Sequence, residues 1–235
     1  MQDTSDAFTE ALRLIMTLDR DLVEIIFMSL RVSLFAVFFA MLIGLPVGAT
    51  TAISRFPGRG ALIAVMNAFM GLPPVVAGLA IYLLLSRAGP LGDWGLLYTP
   101  EAMIIAQTVL VTPIVAALTR QVIEDLHRRY DEQLRAFGLG RGSTAITLLW
   151  EARFSLVTVV LAGFGRAIAE VGAVIMVGGN INHVTRVMTT TITLETSRGA
   201  LDLALGLGIV LLTIIIVING RAGLLNTIAR NPRLA

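Results

Sequence analysis

The sequence predicts an all-α integral membrane protein. Of its 235 residues, 56% are hydrophobic and only 14% are charged, whereas about 25% of the residues in soluble globular domains are charged. Each bilayer crossing requires about 20 mostly apolar residues, and the chain contains several such runs. Five segments are therefore predicted to cross the membrane: residues 22–54, 60–86, 101–122, 150–178 and 201–220.

Residues 8–18 precede the first crossing and show a different pattern. Their apolar positions recur at nearly helical spacing, and charged residues stand between them: Phe8, Leu12, Ile15 and Leu18. The stretch is too short and too polar to span a bilayer, and its pattern is typical of an amphipathic helix on the membrane surface. The acid-rich start of the chain is also unlike a cleaved signal peptide.

The distribution of arginine among the loops predicts the orientation. All 18 basic residues are arginines, and they are concentrated in residues 54–60, residues 119–143 and the C-terminal tail. Basic residues accumulate on the cytoplasmic side of bacterial membrane proteins, so we expect a multi-pass inner-membrane protein with its N-terminus outside and its C-terminus in the cytoplasm. The expected divisions are an outer N-terminal segment, a membrane domain and a cytoplasmic tail: residues 1–21, 22–222 and 223–235.

Two ionisable residues lie inside the predicted fourth crossing. Arg166 and Glu170 are four residues apart, so a continuous helix would place them on one face, where they can pair. Charged groups at membrane depth are costly and usually face a protein interior or an aqueous cavity. Two interpretations remain open: a salt bridge that orients the helices, or a translocation pathway in which Arg166 offers positive potential to an anion.

Prolines are expected to distort two other crossings. Pro73 and Pro74 remove backbone donors and should kink or break the second crossing, and Pro113 should do the same to the third, near Gln107. Broken helices are tolerated in a membrane where protein or a water-filled cavity covers the freed backbone. Each proline alone is compatible with a packing kink, but together they favour a gated pathway, and Thr190 is a candidate for its outer vestibule or for a solvated surface segment.

A polar segment, DEQLRAFGLGRGS (131–143), separates the third and fourth crossings. Asp131 and Glu132 suit a helix N-terminus, and Leu134 and Phe137 fall on one face. Gly138 then interrupts the pattern. We expect a short cytoplasmic helix that another protein contacts.

Residue types exclude several functions. A nucleotide-binding P-loop requires lysine, and the chain has neither lysine nor cysteine. His127 and His183 show no metal-ligand spacing, and the net charge of +2 does not indicate nucleic-acid binding. We therefore expect a transport protein that is not an enzyme and that itself binds no metal or cofactor.

The stretch DEQLRAFGLGRGSTAITLLWEARF resembles the EAA loop in permease subunits of binding-protein-dependent ABC importers. That pattern is Glu-Ala-Ala, three residues, Gly, nine residues and Ile-x-Leu-Pro. Glu132, Gly138 and Leu148 stand at its Glu, Gly and Ile positions. The alanine pair and the Leu-Pro pair are replaced by other residues: Gln133 and Leu134, and Trp150 and Glu151.

Three further stretches are similar to the molybdate and tungstate branch of this family, and closest to the tungstate permeases: residues 71–92, 106–126 and 164–181. The resemblance covers about residues 25–220 and implies the permease fold of type I ABC importers. It also implies an oxyanion substrate, tungstate or molybdate, which an external solute-binding protein delivers.

In this family the cytoplasmic segment, here near residues 130–143, is a coupling helix that docks on a separate ATPase subunit. Glu132 would contact the ATPase, Gly138 would permit the helix to turn, and the docking surface would comprise Leu134, Ala136 and Phe137. One coupling helix per chain and two ATPase subunits, which bind the ATP and Mg²⁺, imply a homodimer with its pathway on the two-fold axis. The residues alone leave an alternative, an ion- or proton-coupled secondary transporter with an Arg166–Glu170 relay, although no internal repeat supports it.

Overall fold

The computed structural model describes the backbone of residues 2–230 and the side chains of residues 7–220. Within residues 2–230 it contains helices, turns and short connections but no β-strand, as expected for an all-α protein. The helices are α1 (Gln2–Met16), α2 (Arg20–Ile53), α3 (Arg59–Met70), α4 (Pro74–Leu85), α5 (Pro100–Ala136), α6 (Arg141–Glu151), α7 (Arg153–Ile168), α8 (Gly172–Gly178), α9 (Met188–Arg198) and α10 (Leu201–Arg230), with a 3₁₀ helix at Gly92–Trp94.

The long apolar helices coincide with the predicted crossings. Within the described chain, α2, α5 and the Leu201–Gly220 part of α10 are each long and apolar enough to cross a bilayer. The pairs α3–α4 and α6–α7 raise the number to as many as five if each broken pair is one crossing. The crossing predicted over 150–178 is not one continuous helix, because α6 and α7 are bent by 78° and α7 ends at Ile168.

The prolines differ in their effect on the helices. Pro73 is the N-cap of α4 with an extended backbone, and Pro74 follows in the first turn, where its missing N–H has no helical partner. The second crossing is therefore broken before α4. Helix α5, in contrast, continues through Pro113, so of the kink or break expected there, the break does not occur. Val111 and Val115 on either side are fully buried, and this packing holds the helix together across the lost hydrogen bond.

The chain divides into two compact units. The first contains residues up to 35, 73–107 and 168–218, and the second contains residues 36–72, 108–167 and those from 219 onward. In the first unit α4 and α8 approach closely: a Cβ added at Gly78 would lie 2.7 Å from the Cα of Ala173. Helix α1 also packs in this unit through Ala11, which is fully buried, while Phe8 and Leu12 remain exposed.

The second unit is organised around a close contact between α2 and α5. A Cβ added at Gly44 would lie 2.8 Å from Val115 Cγ1, and one at Gly48 would lie 2.8 Å from the Cβ of Thr119. The spacing of four residues puts both glycines on one helix face, and small residues allow helices in membranes to approach. Arg59 links one end of α2 to α5, because its Nε donates to the Thr51 carbonyl at 2.8 Å and its guanidinium pairs with Glu124 of α5 at 3.5 Å.

Candidate functional site

The cytoplasmic segment forms the end of α5 and is not a separate helix. Helix α5 extends over 37 residues to Ala136, so Asp131 and Glu132 lie near its C-terminus, and their expected placement at a helix N-terminus is wrong. No glycine or proline interrupts the sequence between Pro113 and Gly138, which explains why the helix continues. Arg135 pairs with Asp131 at 2.7 Å and so compensates an acid at the negative end of the helix dipole.

Gly138 ends α5 through its backbone conformation. Its φ is +62°, in the left-handed region that glycine adopts without steric cost. Its N–H donates to the Arg135 carbonyl at 3.0 Å, and the Leu139 N–H donates to the Leu134 carbonyl at 3.3 Å, as is common at helix C-termini. A Cβ at this position would meet nothing within 4 Å, so backbone conformation alone requires the glycine.

The predicted docking residues do not all face outward. Glu132 and Ala136 are exposed, and Phe137 is 79% exposed. Leu134 is only 8% exposed and packs inward, so it does not contribute to an exposed docking surface in this conformation. The most exposed apolar group at the turn is therefore the Phe137 ring, with Leu139 39% exposed after the glycine.

Helix α6 was not anticipated from the sequence. Its buried residues Thr144, Ala145 and Leu148 recur at spacings of three and four, which is a helical signal. The glycines that precede α6 and its position next to an apolar crossing obscured that signal.

A cavity of about 520 Å³ lies beside the end of α5 within the second unit. Four arginines line it, together with His127 and Asp131: Arg55, Arg128, Arg135 and Arg141. The Nδ1 of His127 is buried there without a hydrogen-bond partner. The excess of positive charge makes this cavity favourable to acidic groups.

Glu170 lies in the break between α7 and α8, within the first unit. Helix α7 ends at Ile168, so the argument that helical spacing puts Arg166 and Glu170 on one face is wrong. Glu170 is 3% exposed, and its Oε1 accepts the N–H of Ala173 at 3.0 Å. Its backbone carbonyl accepts the Thr189 hydroxyl at 2.8 Å. The side chain thus caps α8, while Arg166 is half-buried in the last turn of α7.

Thr190 belongs to a buried polar cluster in the same unit. It is fully buried, and its hydroxyl lies 2.9 Å from Oδ1 of Asn180. Thr185 donates to the Gly178 carbonyl. These contacts fasten the loop between α8 and α9, so Thr190 does not line an open vestibule in this conformation.

The remaining pathway candidates lie on two helices. Gln107 is 3% exposed and Pro113 is half-buried, both in α5, while Pro73 and Pro74 begin α4. Their assignment to a pathway remains a prediction.

The sequence pattern indicates no role for His183, but the structure gives it a partner. Its Nδ1 lies 3.0 Å from a carboxylate oxygen of Glu24, so it fastens the loop after α8 to α2. The two residues are 159 positions apart, and no local pattern signals such a contact.

In the loop before α5, a hydrogen bond with Tyr82 raises the pKa of the Tyr98 hydroxyl above its ordinary value.

Comparisons with known proteins agree on the family. Residues 41–228 match the family described as "Binding-protein-dependent transport system inner membrane component". A probable anion ABC transporter permease protein of Haloferax volcanii is 41% identical over 205 residues, 84% of this chain and 88% of that protein. The tungstate uptake system permease protein TupB of Peptoclostridium acidaminophilum is 38% identical over 219 residues, 93% of this chain and 96% of that protein.

A sulfate transport system permease protein, CysT of Escherichia coli, is 34% identical over 145 residues, 59% of this chain and 52% of that protein. Among solved structures, the MetNI methionine ABC transporter in inward-facing conformations superposes with a TM-score of 0.71, covering 92% of this chain and 97% of that chain. At 19% identity that likeness shows the fold alone. Because the family match extends over residues 41–228, the chain belongs to the inner-membrane components of binding-protein-dependent transport systems and is the non-enzymatic permease subunit of an ABC importer.

Proposed function

We propose that this chain forms the translocation pathway for an oxyanion, with tungstate as the substrate. The observation that carries the proposal is the similarity to TupB over nearly the full length of both chains. The anion permease of Haloferax volcanii supports the anion class. Molybdate is the second candidate, because residues 71–92, 106–126 and 164–181 resemble the branch that contains both molybdate and tungstate permeases.

The end of α5 supports coupling to separate ATPase subunits, which bind the ATP and Mg²⁺. The exposed Phe137 ring and the left-handed turn at Gly138 form an exposed apolar point, and Glu132 is exposed earlier in α5. An exposed aromatic next to a basic cavity fits a partner with an apolar recess and an acidic rim. Closure of two ATPase subunits would then move this point and the helix behind it.

The proposed assembly is a homodimer with two ATPase subunits and an external solute-binding protein. Its N-terminus is outside and its C-terminus is in the cytoplasm, as the arginine distribution predicts. Because the chain contains no cysteine, single cysteines test this orientation directly. In intact cells a membrane-impermeant thiol reagent should label Ala88→Cys, in an outer loop, and should label Ser143→Cys only after the cells are opened. The reverse pattern would overturn the orientation.

Arg166 is the proposed source of positive potential for the anion. We expect Arg166→Ala to lower oxyanion uptake more than it lowers the amount of assembled complex. Loss of folded protein without a selective transport defect would instead assign Arg166 a structural role.

The substrate is tested by metal accumulation in cells that lack this gene and in cells in which it is restored. Mass spectrometry would follow tungsten, molybdenum and sulfur after growth on trace tungstate, molybdate or sulfate, each with the other two in excess. Tungsten uptake that depends on the gene and persists in excess molybdate supports the proposal. Gene-dependent uptake of molybdenum or sulfur alone would overturn tungstate as the substrate while leaving the permease family unaffected.

A further inference from the structure

An apolar groove of about 510 Å³ lies within the second unit, where α2, α6 and α7 meet. Helix α2 contributes Met41 and Leu45, and α7 contributes Leu156 and Val157. The charged residue of its lining is Arg153, at the junction of α6 and α7. The groove thus has an apolar wall with one cationic side chain at the junction of α6 and α7.

Two aromatic rings and a carbonyl hold Arg153 in place. Its guanidinium carbon lies 5.3 Å from the ring centroid of Trp150 and 4.6 Å from that of Phe154. Its Nη1 donates to the Trp150 carbonyl at 2.9 Å, which occupies one of the five N–H groups of a guanidinium. Arg153 is exposed, so its remaining N–H donors are accessible to a ligand. Among the side chains of residues 7–220, no carboxylate lies within ion-pair distance of Arg153.

We propose that this groove binds an anionic phospholipid, with an acyl chain along α2 and α7 and the headgroup phosphate at Arg153. The planar fork of a guanidinium matches the geometry of a phosphate, and hydrocarbon matches the nearly all-apolar wall. Arg153 follows the arginine-rich segment that the positive-inside rule places in the cytoplasm, and anionic lipids give the cytoplasmic leaflet its negative surface potential. Arginine and tryptophan at such a boundary are typical of the membrane interface.

Trp150 provides a direct readout of the occupant. The chain contains two tryptophans, and Trp94 lies in the first unit, where it is 65% exposed. In the full-length Trp94→Phe protein, fluorescence therefore reports on Trp150. The protein is placed in nanodiscs that contain phosphatidylglycerol or phosphatidylcholine with brominated acyl chains, which quench a tryptophan on contact, and the signal is normalised to discs with the same unbrominated lipid.

Brominated phosphatidylglycerol should reach half-maximal quenching at about a fivefold lower mole fraction than brominated phosphatidylcholine, as expected for one arginine near an anionic headgroup. Arg153→Gln should abolish this preference, and Arg129→Gln, which removes an exposed arginine outside the groove, should retain it. Val157→Phe, which fills the groove and leaves Arg153 intact, should also reduce quenching. This variant tests the proposal if Arg153→Gln fails to fold.

Equal quenching by the two lipids, or a preference that survives Arg153→Gln, would overturn the proposal. A second copy of the chain is the competing occupant. In this cysteine-free protein, a disulfide between copies at Ile146→Cys, a groove position that is 71% exposed, together with absence of quenching, would assign the groove to a protein interface and would likewise overturn the lipid site.

Discussion

At the scale of single residues, Gly138 and Glu170 show how one position determines where a helix ends or begins. Gly138 turns the chain at the end of α5 through a positive φ. Glu170 supplies an acceptor to the first turn of α8. Both residues act on the backbone. At each site, a replacement that keeps this backbone interaction therefore separates a structural role from a role in transport.

We expect Gly138→Val to weaken co-purification of the ATPase while the chain still folds. A β-branched residue in the left-handed region costs roughly 1–2 kcal/mol, so the turn would relax and displace Phe137. Gly138→Asn should retain binding, because asparagine tolerates this conformation. Gly140→Val is the matched control, since Gly140 has an extended backbone, and an equal loss of binding in that variant would contradict the explanation.

We expect Glu170→Gln to preserve folding and uptake, because the amide oxygen can still accept the Ala173 N–H. Glu170→Ala should lower the free energy of unfolding by roughly 1–3 kcal/mol, because it removes the acceptor of the buried Ala173 N–H. Thermal unfolding in detergent and oxyanion uptake measure the two effects. A folded Glu170→Gln protein without uptake would show that the charge itself is required, as in a proton relay.

At the scale of helices, small residues determine which helices can pack closely. Gly44 and Gly48 permit the contact of α2 with α5 in the second unit, and Gly78 permits that of α4 with α8 in the first. Arg59 adds an ion pair with Glu124 at 3.5 Å. The four-residue glycine spacing in α2 was visible in the sequence, but the partner helix was not.

We expect Gly48→Ala to lower the unfolding temperature and Gly208→Ala to leave it unchanged or raise it. The new methyl group at Gly48 would overlap α5, and overpacking typically costs roughly 1–3 kcal/mol. A Cβ at Gly208 in α10 meets nothing within 4 Å, and alanine is the better helix former by about 1 kcal/mol. Equal destabilisation of the two purified variants would contradict the packing argument.

At the scale of the whole molecule, the chain is an ABC importer permease whose proposed coupling point is exposed. Phe137 is 79% exposed and makes little contribution to the stability of the chain itself. Aromatic residues of this kind often contribute most of the binding free energy at an interface.

We expect Phe137→Ala to weaken ATPase binding by tenfold or more, equivalent to at least about 1.4 kcal/mol, without lowering the unfolding temperature. Binding of the purified ATPase to the permease in nanodiscs measures the effect. Phe27→Ala, which removes another exposed ring, 65% exposed in α2, is the control. Unchanged ATPase affinity in Phe137→Ala would place the docking surface elsewhere.

The sequence by itself determined the membrane class, the three unbroken apolar crossings and the glycine that ends α5. The length of an apolar run that crosses a membrane is set by the bilayer thickness, and backbone hydrogen bonds within the membrane must be satisfied inside the helix itself. Membrane-crossing helices can therefore be predicted from local sequence. The resemblance of the EAA-like stretch to its family likewise depended on a few positions close together in the sequence, among them Gly138.

Only the tertiary structure decided which side chains face inward and which residues lie in helix breaks. A local pattern cannot distinguish the end of a long helix from a separate short one, so Glu132 was placed at the wrong end. Nor can it show that Leu134 packs inward, that Thr190 is buried against Asn180, or that α7 stops before Glu170. These outcomes depend on contacts between residues far apart in the chain, such as His183 with Glu24, and those contacts exist only once the helices have packed.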